Sequence, residues 1–184
     1  KLENAKKIIL NESKNKEIYA YKCDISNRTE VHSTVEKIEN NLGPIDLAIL
    51  NAAAYSPNKS QEFNIENYEL LINVNLKGTL YCIEILKKKM ELKRDKKIAI
   101  VSSPVGYRGL PTAGAYGLTK AGLINLAESL FFDLKKSGIK ISIINPGFIK
   151  TESTDLNSFS MPFIKSSNYA AEKIYLGLTK KYKF

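Results

Sequence analysis

Residues 98–120, IAIVSSPVGYRGLPTAGAYGLTK, decide how this chain is read. They open with an apolar run, 98–101, whose length and β-branched content suit a buried strand. The run ends at Ser102 and Ser103. A loop carrying Pro104, Gly106, Gly109 and Pro111 follows, and a helical pattern starts near Ala115. In that helix Tyr116 and Lys120 stand four residues apart, which puts both on one face. Strand, loop and helix would thus aim Ser103, Tyr116 and Lys120 at one point.

A phenol ordinarily titrates near ~10 and is a poor base at neutral pH unless a cation lies beside it. An ammonium about 5 Å away, at an effective dielectric of about 20, is worth roughly 3 kcal/mol, or about two pKa units. Lys120 is therefore expected to lower the pKa of Tyr116, and Ser103 to donate a hydrogen bond to the same substrate oxygen. With 10 Tyr and a Lys-rich composition, Tyr-x-x-x-Lys alone says little, and it occurs three times, at Tyr55/Lys59, Tyr116/Lys120 and Tyr169/Lys173. The first contains Pro57, which a helix disfavours. The third has Leu156 thirteen residues upstream, where Tyr116 has Ser103. Tyr55 and Tyr169 are accordingly expected to be bystanders.

Ser103, Tyr116 and Lys120 at these spacings resemble the main branch of the short-chain dehydrogenases/reductases. Further matches fall in family order: CDI at 23–25, NAAA at 51–54, NVNLKG at 73–78, SSPVG at 102–106 and NPGFIKT at 145–151. The resemblance implies an NAD(P)-dependent oxidoreductase acting on a small-molecule carbonyl/alcohol pair. Tyr116 would be its acid/base group, Ser103 would orient the carbonyl, and Lys120 would hold the cofactor ribose. Asn75 would hold a proton-relay water at a helix kink. For NAD or NADP it implies contacts from Asp24 and Ile25 at the adenine, from Asn51, Ala52, Ala53, Tyr116 and Lys120 along the ribose side, and from Pro146, Gly147, Ile149 and Thr151 at the nicotinamide and phosphate. NAAA departs from the family's NNAG at Leu50 and Ala53. The family's glycine-rich TGxxxGxG turn is absent from the sequence and is expected before residue 1. Pro104, Val105, Tyr107 and Arg108, with the aperiodic segment 152–165, are expected to line the substrate pocket.

Composition bounds the alternatives. The 184 residues suit one domain of 1–184, with 152–167 as a substrate lid. The net charge of +9 comes from lysines spread over helix faces, with three Arg, unlike an Arg-rich, aromatic-interleaved nucleic-acid surface. Cys23 and Cys82 show no metal spacing and read as reduced, buried thiols of a cytoplasmic protein. No metal site, nucleic-acid partner or membrane span is expected.

Taken in order, the chain reads as helix 2–13, strand 17–23, helix 26–40 with Ser26 or Asn27 as cap, strand 45–50 buried on both faces, and helix from about 64 to 93. Strand 98–101, helix 115–136 stopped by Gly138, strand 139–144 and a final helix from 167 or 168 to about 180 follow. Gly78, costly inside a helix, marks close packing, and His32, the one histidine, reads as a surface residue. Alternating strands and helices give an α/β, doubly wound parallel sheet of the Rossmann kind, with strands 1 and 2 and the last strand not represented. The resemblance implies a homodimer or homotetramer joined through helices 65–93 and 115–136. An epimerase or dehydratase of the extended branch, and a non-catalytic NAD(P)-binding regulator or scaffold of the same fold, stay open.

Overall fold

Three strands, β1 (Leu47–Leu50), β2 (Lys96–Val101) and β3 (Ile139–Ile144), pair in that order and all in parallel. The structure is a computed structural model that describes residues 2–57, 63–91, 93, 95–157 and 159–179. Parallel neighbours need a crossover. Helix α3 (Ile65–Leu71), a π-helical segment (Ile72–Lys77) and α4 (Gly78–Met90) carry the chain from β1 to β2, and α5 (Gly114–Asp133) carries it from β2 to β3. Helices α1 (Leu2–Glu12) and α2 (Arg28–Leu42) precede the sheet, and α6 (Ser167–Thr179) follows it. This is the expected Rossmann-like α/β arrangement.

The period of two in a strand explains the core. Ile98 and Ile100 of β2, with Ile139 and Ile141 of β3, face one way and are covered by Leu86 and Met90 of α4 and Leu123 and Ala127 of α5. Lys97 points to the other face, where its Nζ reaches the Leu178 carbonyl of α6 at 3.0 Å. Asn27 caps α2 by accepting from the Glu30 N–H. Gly138, at φ 76°, lets the chain leave the helical turn that follows α5 and enter β3.

Several expectations change. Residues 17–23 form no strand, because no described strand lies beside them and an extended segment without a neighbour has no ladder to join. Strand β1 is shorter than 45–50 and is not buried on both faces: Leu47 and Ile49 are 41% and 46% exposed, since β1 edges the described sheet and nothing described covers that side. The helix 64–93 is interrupted by the π-helical segment. The helix after Ala113 ends at Asp133 and tightens into a 3-10 turn, Leu134–Ser137. His32 does more than sit at the surface: its Nε2 lies 2.9 Å from Glu84 Oε2, and Arg28 forks onto the same carboxylate, tying α2 to α4. The Arg28 hydrogen bond, aided by His32, pulls the Glu84 carboxyl down to about 2. Lys59 and Lys180 lie outside the described residues.

Candidate active site

Strand β2 stops at Val101, and the two serines after it divide the work. The Ser102 hydroxyl donates to the Lys120 carbonyl at 2.8 Å. Ser103 caps a 3-10 turn, Pro104–Gly106, and its Oγ accepts from the Val105 N–H at 3.4 Å. That turn lies directly on α5: a Cβ on Gly106 would stand 2.8 Å from the backbone carbon and oxygen of Lys120 and 2.6 Å from Ile124 Cδ1. Glycine is thus required by the close approach of loop and helix, and the approach sets Ser103 beside the first turns of α5.

Tyr116 and Lys120 share a face of α5, with the Lys120 Nζ 5.3 Å from the centre of the Tyr116 ring. Lys120 is 2% exposed, and its ammonium donates to the Val101 carbonyl at 2.9 Å. The Tyr116 hydroxyl makes no hydrogen bond among the described residues. Burial, with the Tyr55 phenol as a lesser cause, pushes the Tyr116 pKa up to about 12. Burial brings Lys120 down to about 8. The expected lowering of the phenol by Lys120 is therefore reversed. A phenolate loses more by leaving water than it gains here from an ammonium directed at a strand carbonyl.

Asn75 lies at the middle of the π-helical segment, a device that widens a helix by one residue and recurs at functional sites. Its Oδ1 accepts from the Ala54 N–H at 2.7 Å, and its Nδ2 donates to the Ala54 carbonyl at 3.0 Å and lies 3.2 Å from Thr119 Oγ1. The side chain thus clamps the loop after β1 and touches the residue preceding Lys120. Gly78 packs as expected, and its neighbour is Ile25, whose Cδ1 would stand 2.9 Å from an added Cβ.

The other expected positions sort by place. Asn51, Ala52 and Ala53 are exposed just beyond β1, Ser103 lies just beyond β2, and Pro146, Gly147, Ile149 and Thr151 lie beyond β3. All share the rim at the carboxyl ends of the parallel strands, where ligands of such sheets bind. No hydrogen bond among the described residues joins Asp24 to this group. The Asp24 carboxylate accepts from the Ser26 hydroxyl at 2.7 Å and the Ser26 N–H at 2.9 Å, which lowers its pKa. Among the substrate positions Pro104, Tyr107 and Arg108 are exposed, but Val105 is buried against α5 at Gly117, where it packs rather than lines a pocket. The Tyr107 hydroxyl accepts from Asn145 Nδ2 at 3.0 Å, leaving Asn145 Oδ1 buried with no partner among the described residues. The described residues of segment 152–165 include a 3-10 turn, Thr154–Leu156, and the Ile149–Lys165 bridge closes the segment's base. Among the described residues no three His, Cys, Asp or Glu side chains cluster as metal ligands, and no helix is long and apolar enough to cross a membrane.

The family model described as short chain dehydrogenase matches residues 1–174. The chain belongs to this family. It is 32% identical to an uncharacterised oxidoreductase of Myxococcus xanthus over 83% of this chain and 61% of the relative. It is also 32% identical to the 3-oxoacyl-[acyl-carrier-protein] reductase FabG of Rickettsia typhi, over 72% of this chain and 54% of the relative. The chain thus spans about 61% or less of these relatives' length. Among solved structures it is similar to ElxO with NADP bound, with a TM-score of 0.86 and 27% identity over 100% of this chain and 80% of that one.

Sequence reasoning missed three neighbours of this candidate site. Ser102 and Thr119 hold Lys120 and Asn75 through hydrogen bonds. Tyr55, set aside as a bystander, lays its ring edge-on to Tyr116 with centroids 4.9 Å apart. Its place directly after NAAA, beyond the carboxyl end of a strand, was the available signal.

Proposed function

We propose that the protein carrying this chain is an NAD(P)-dependent oxidoreductase that interconverts a carbonyl and an alcohol, with Tyr116 as acid/base group, Ser103 as carbonyl orienter, Lys120 as ribose anchor and Asn75 as holder of a relay water. The observation that carries this reading is Lys120. A buried ammonium is costly unless paired, and among the described residues Lys120 has one hydrogen-bond partner, a backbone carbonyl, beside the face of the Tyr116 ring. Its remaining donors suit a ligand rich in hydroxyl oxygens, at the same spot as an uncommitted phenol.

The residues present fit a dinucleotide on the side they cover. The buried, unpartnered Asn145 Oδ1 is an acceptor suited to a ligand N–H such as a carboxamide, and nothing lies within 4 Å of a Cβ placed on Gly147. Asn51, Ala52 and Ala53 with Tyr116 and Lys120 would hold the ribose, Pro146, Gly147, Ile149 and Thr151 the nicotinamide end, and Asp24 with Ile25 the adenine edge. When bound, the nicotinamide supplies the hydride.

A phenol held at about 12 is protonated at neutral pH and so carries the proton that reduction of a carbonyl requires. The Tyr116 O–H protonates the carbonyl oxygen as its carbon becomes an alcohol carbon, and the Ser103 hydroxyl steadies that oxygen. Exposed Leu80 on α4 and Leu118 and Phe132 on α5 support pairing of subunits through these helices, and free Cys23 and Cys82 suit the cytoplasm. The test is oxidation of NADH or NADPH with a panel of ketones and 3-oxoacyl thioesters. Tyr116→Phe should lower turnover at least about a hundredfold while dinucleotide still binds; undiminished turnover would overturn the assignment.

A further inference from the structure

The loop after β1 places an aromatic side chain against both Tyr116 of α5 and Asn157 of the segment after β3. Tyr55 follows Ala54, whose N–H and carbonyl are both held by Asn75, so its backbone is anchored to the π-helical segment. Its ring stands nearly perpendicular to that of Tyr116, at 80° and 4.9 Å between centroids, an arrangement in which a positive ring edge meets a negative ring face. Its hydroxyl donates to Oδ1 of Asn157, inside the loop 151–164, and the Asn157 amide in turn lies 3.3 Å from the Met161 sulfur. The ends of that loop are pinned independently, by Lys150 N–H to the Lys165 carbonyl at 2.8 Å and Lys165 N–H to the Phe148 carbonyl at 2.9 Å. Between these ends a 3-10 turn, Thr154–Leu156, is bonded back to Thr151 and, through the Thr154 hydroxyl, to the Ile149 carbonyl at 2.8 Å. It presents Asn157 to Tyr55, while Leu156 and Phe163 are 59% and 89% exposed.

We infer that Tyr55 is a positioning and specificity residue: its ring holds the Tyr116 phenol in place while its hydroxyl fastens the 151–164 loop, at Asn157, beside the same phenol. The inference rests on the reading of Tyr116 as the acid/base group. It assigns separate tasks to the two halves of one side chain. The ring walls one flank of Tyr116, so a carbonyl reaches the phenol from the Ser103 side. The hydroxyl sets how close Asn157 and Met161 come, and so how large an apolar substituent next to the carbonyl the site accepts. The Tyr55 phenol is itself partly buried, and that burial raises its pKa, so at neutral pH it is a neutral donor suited to the Asn157 oxygen.

The two tasks separate by substitution in the full-length enzyme, assayed with a small and a bulky ketone. Tyr55→Phe keeps the ring and loses the hydrogen bond. It should raise KM about tenfold and narrow the preference for the small ketone, leaving kcat within about twofold. Asn157→Ala removes the other partner and should give the same KM, and the double variant should be no worse than either single one, because all three lack the same bond. Tyr55→Leu removes the ring. It should lower kcat and, by admitting water to Tyr116, move the alkaline limb of the pH–rate profile to lower pH, an effect that Tyr55→Phe should not produce. Additive effects of Tyr55→Phe and Asn157→Ala, or an unmoved limb in Tyr55→Leu with normal kcat, would overturn the inference. A fully active Tyr116→Phe variant would instead strike the acid/base reading, so the two failures are distinguishable.

Discussion

The ammonium of Lys120 is bonded to the carbonyl of Val101, the last residue of β2, at 2.9 Å. The next residue, Ser102, returns a hydrogen bond to the Lys120 carbonyl at 2.8 Å. Two consecutive residues at the end of one strand therefore hold both the side chain and the backbone of one helical residue. This fixes α5 against the end of β2, one residue before Ser103 and one helical turn after Tyr116.

That arrangement has a cost that depends on pH. In the folded chain Lys120 titrates at about 8, against 10.5 unfolded, so the unfolded state holds the proton more tightly. The stability linked to this group is present above 10.5 and is lost as pH falls through 8. Lys120→Met removes the linkage. The stability of the parent relative to Lys120→Met, measured by urea unfolding, should rise between pH 8 and pH 10.5 by up to about 3 kcal/mol. A difference independent of pH would mean that the ammonium is hydrated in solution.

Gly106 offers a test of the loop that carries Ser103. A Cβ there meets backbone atoms of Lys120 at 2.8 Å, which cannot swing aside as a flexible side chain would. Gly106→Ala should cost about 1–3 kcal/mol by overpacking and lift Ser103 from its place, lowering kcat as well as the unfolding midpoint. Gly109→Ala, with no atom within 4 Å of the added carbon, is the control and should change neither.

What could be read in the sequence was what local geometry determines. The four-residue step from Tyr116 to Lys120 needs only a helix, and the β-branched runs at 98–101 and 139–144 need only a strand between loops. Residues 17–23 alternate just as plausibly, yet pairing depends on a neighbour that alternation does not encode. The pKa of Tyr116 had the wrong sign for a similar reason. Charge proximity follows from spacing, whereas burial depends on what folds over the ring, including Tyr55 from sixty-one residues away. The contact of Tyr55 with Asn157 spans 102 residues and left no periodic trace. Asn75 was legible through family resemblance alone, since nothing in the apolar pattern of the helix announces a π-helical step.

Cys82 should be chemically quiet. Burial, helped by the nearby Cys23 thiol, pushes its pKa up to about 11. At pH 8 about one molecule in a thousand would carry the thiolate, the form that attacks alkylating reagents. Iodoacetamide labelling of the native protein followed by peptide mapping should leave Cys82 unmodified until denaturant is added. Rapid native labelling at Cys82 would show that the contact between α4 and the segment at Cys23 opens readily.

Asn75 provides the most discriminating comparison, because its amide uses an acceptor and a donor on the same partner. Asn75→Ala leaves the N–H and carbonyl of Ala54 without their bonds, at a cost of about 1–3 kcal/mol where water cannot reach them. Asn75→Asp keeps the acceptor for the Ala54 N–H but turns the other arm into an oxygen facing the Ala54 carbonyl and Thr119 Oγ1. An anion there, in a residue 1% exposed, is worse than no side chain at all. The unfolding midpoint should fall in the order Asn75, Asn75→Ala, Asn75→Asp, and the Asp variant should recover stability as the pH is lowered and its carboxyl takes up a proton that can be donated to the Ala54 carbonyl. Amide hydrogen exchange separates this clamp from ordinary core packing. Exchange at Ala54 should accelerate at least tenfold in Asn75→Ala while amides of β3 slow or quicken only with global stability. Unchanged protection at Ala54 would mean that the loop after β1, and with it Tyr55, is held by something other than Asn75.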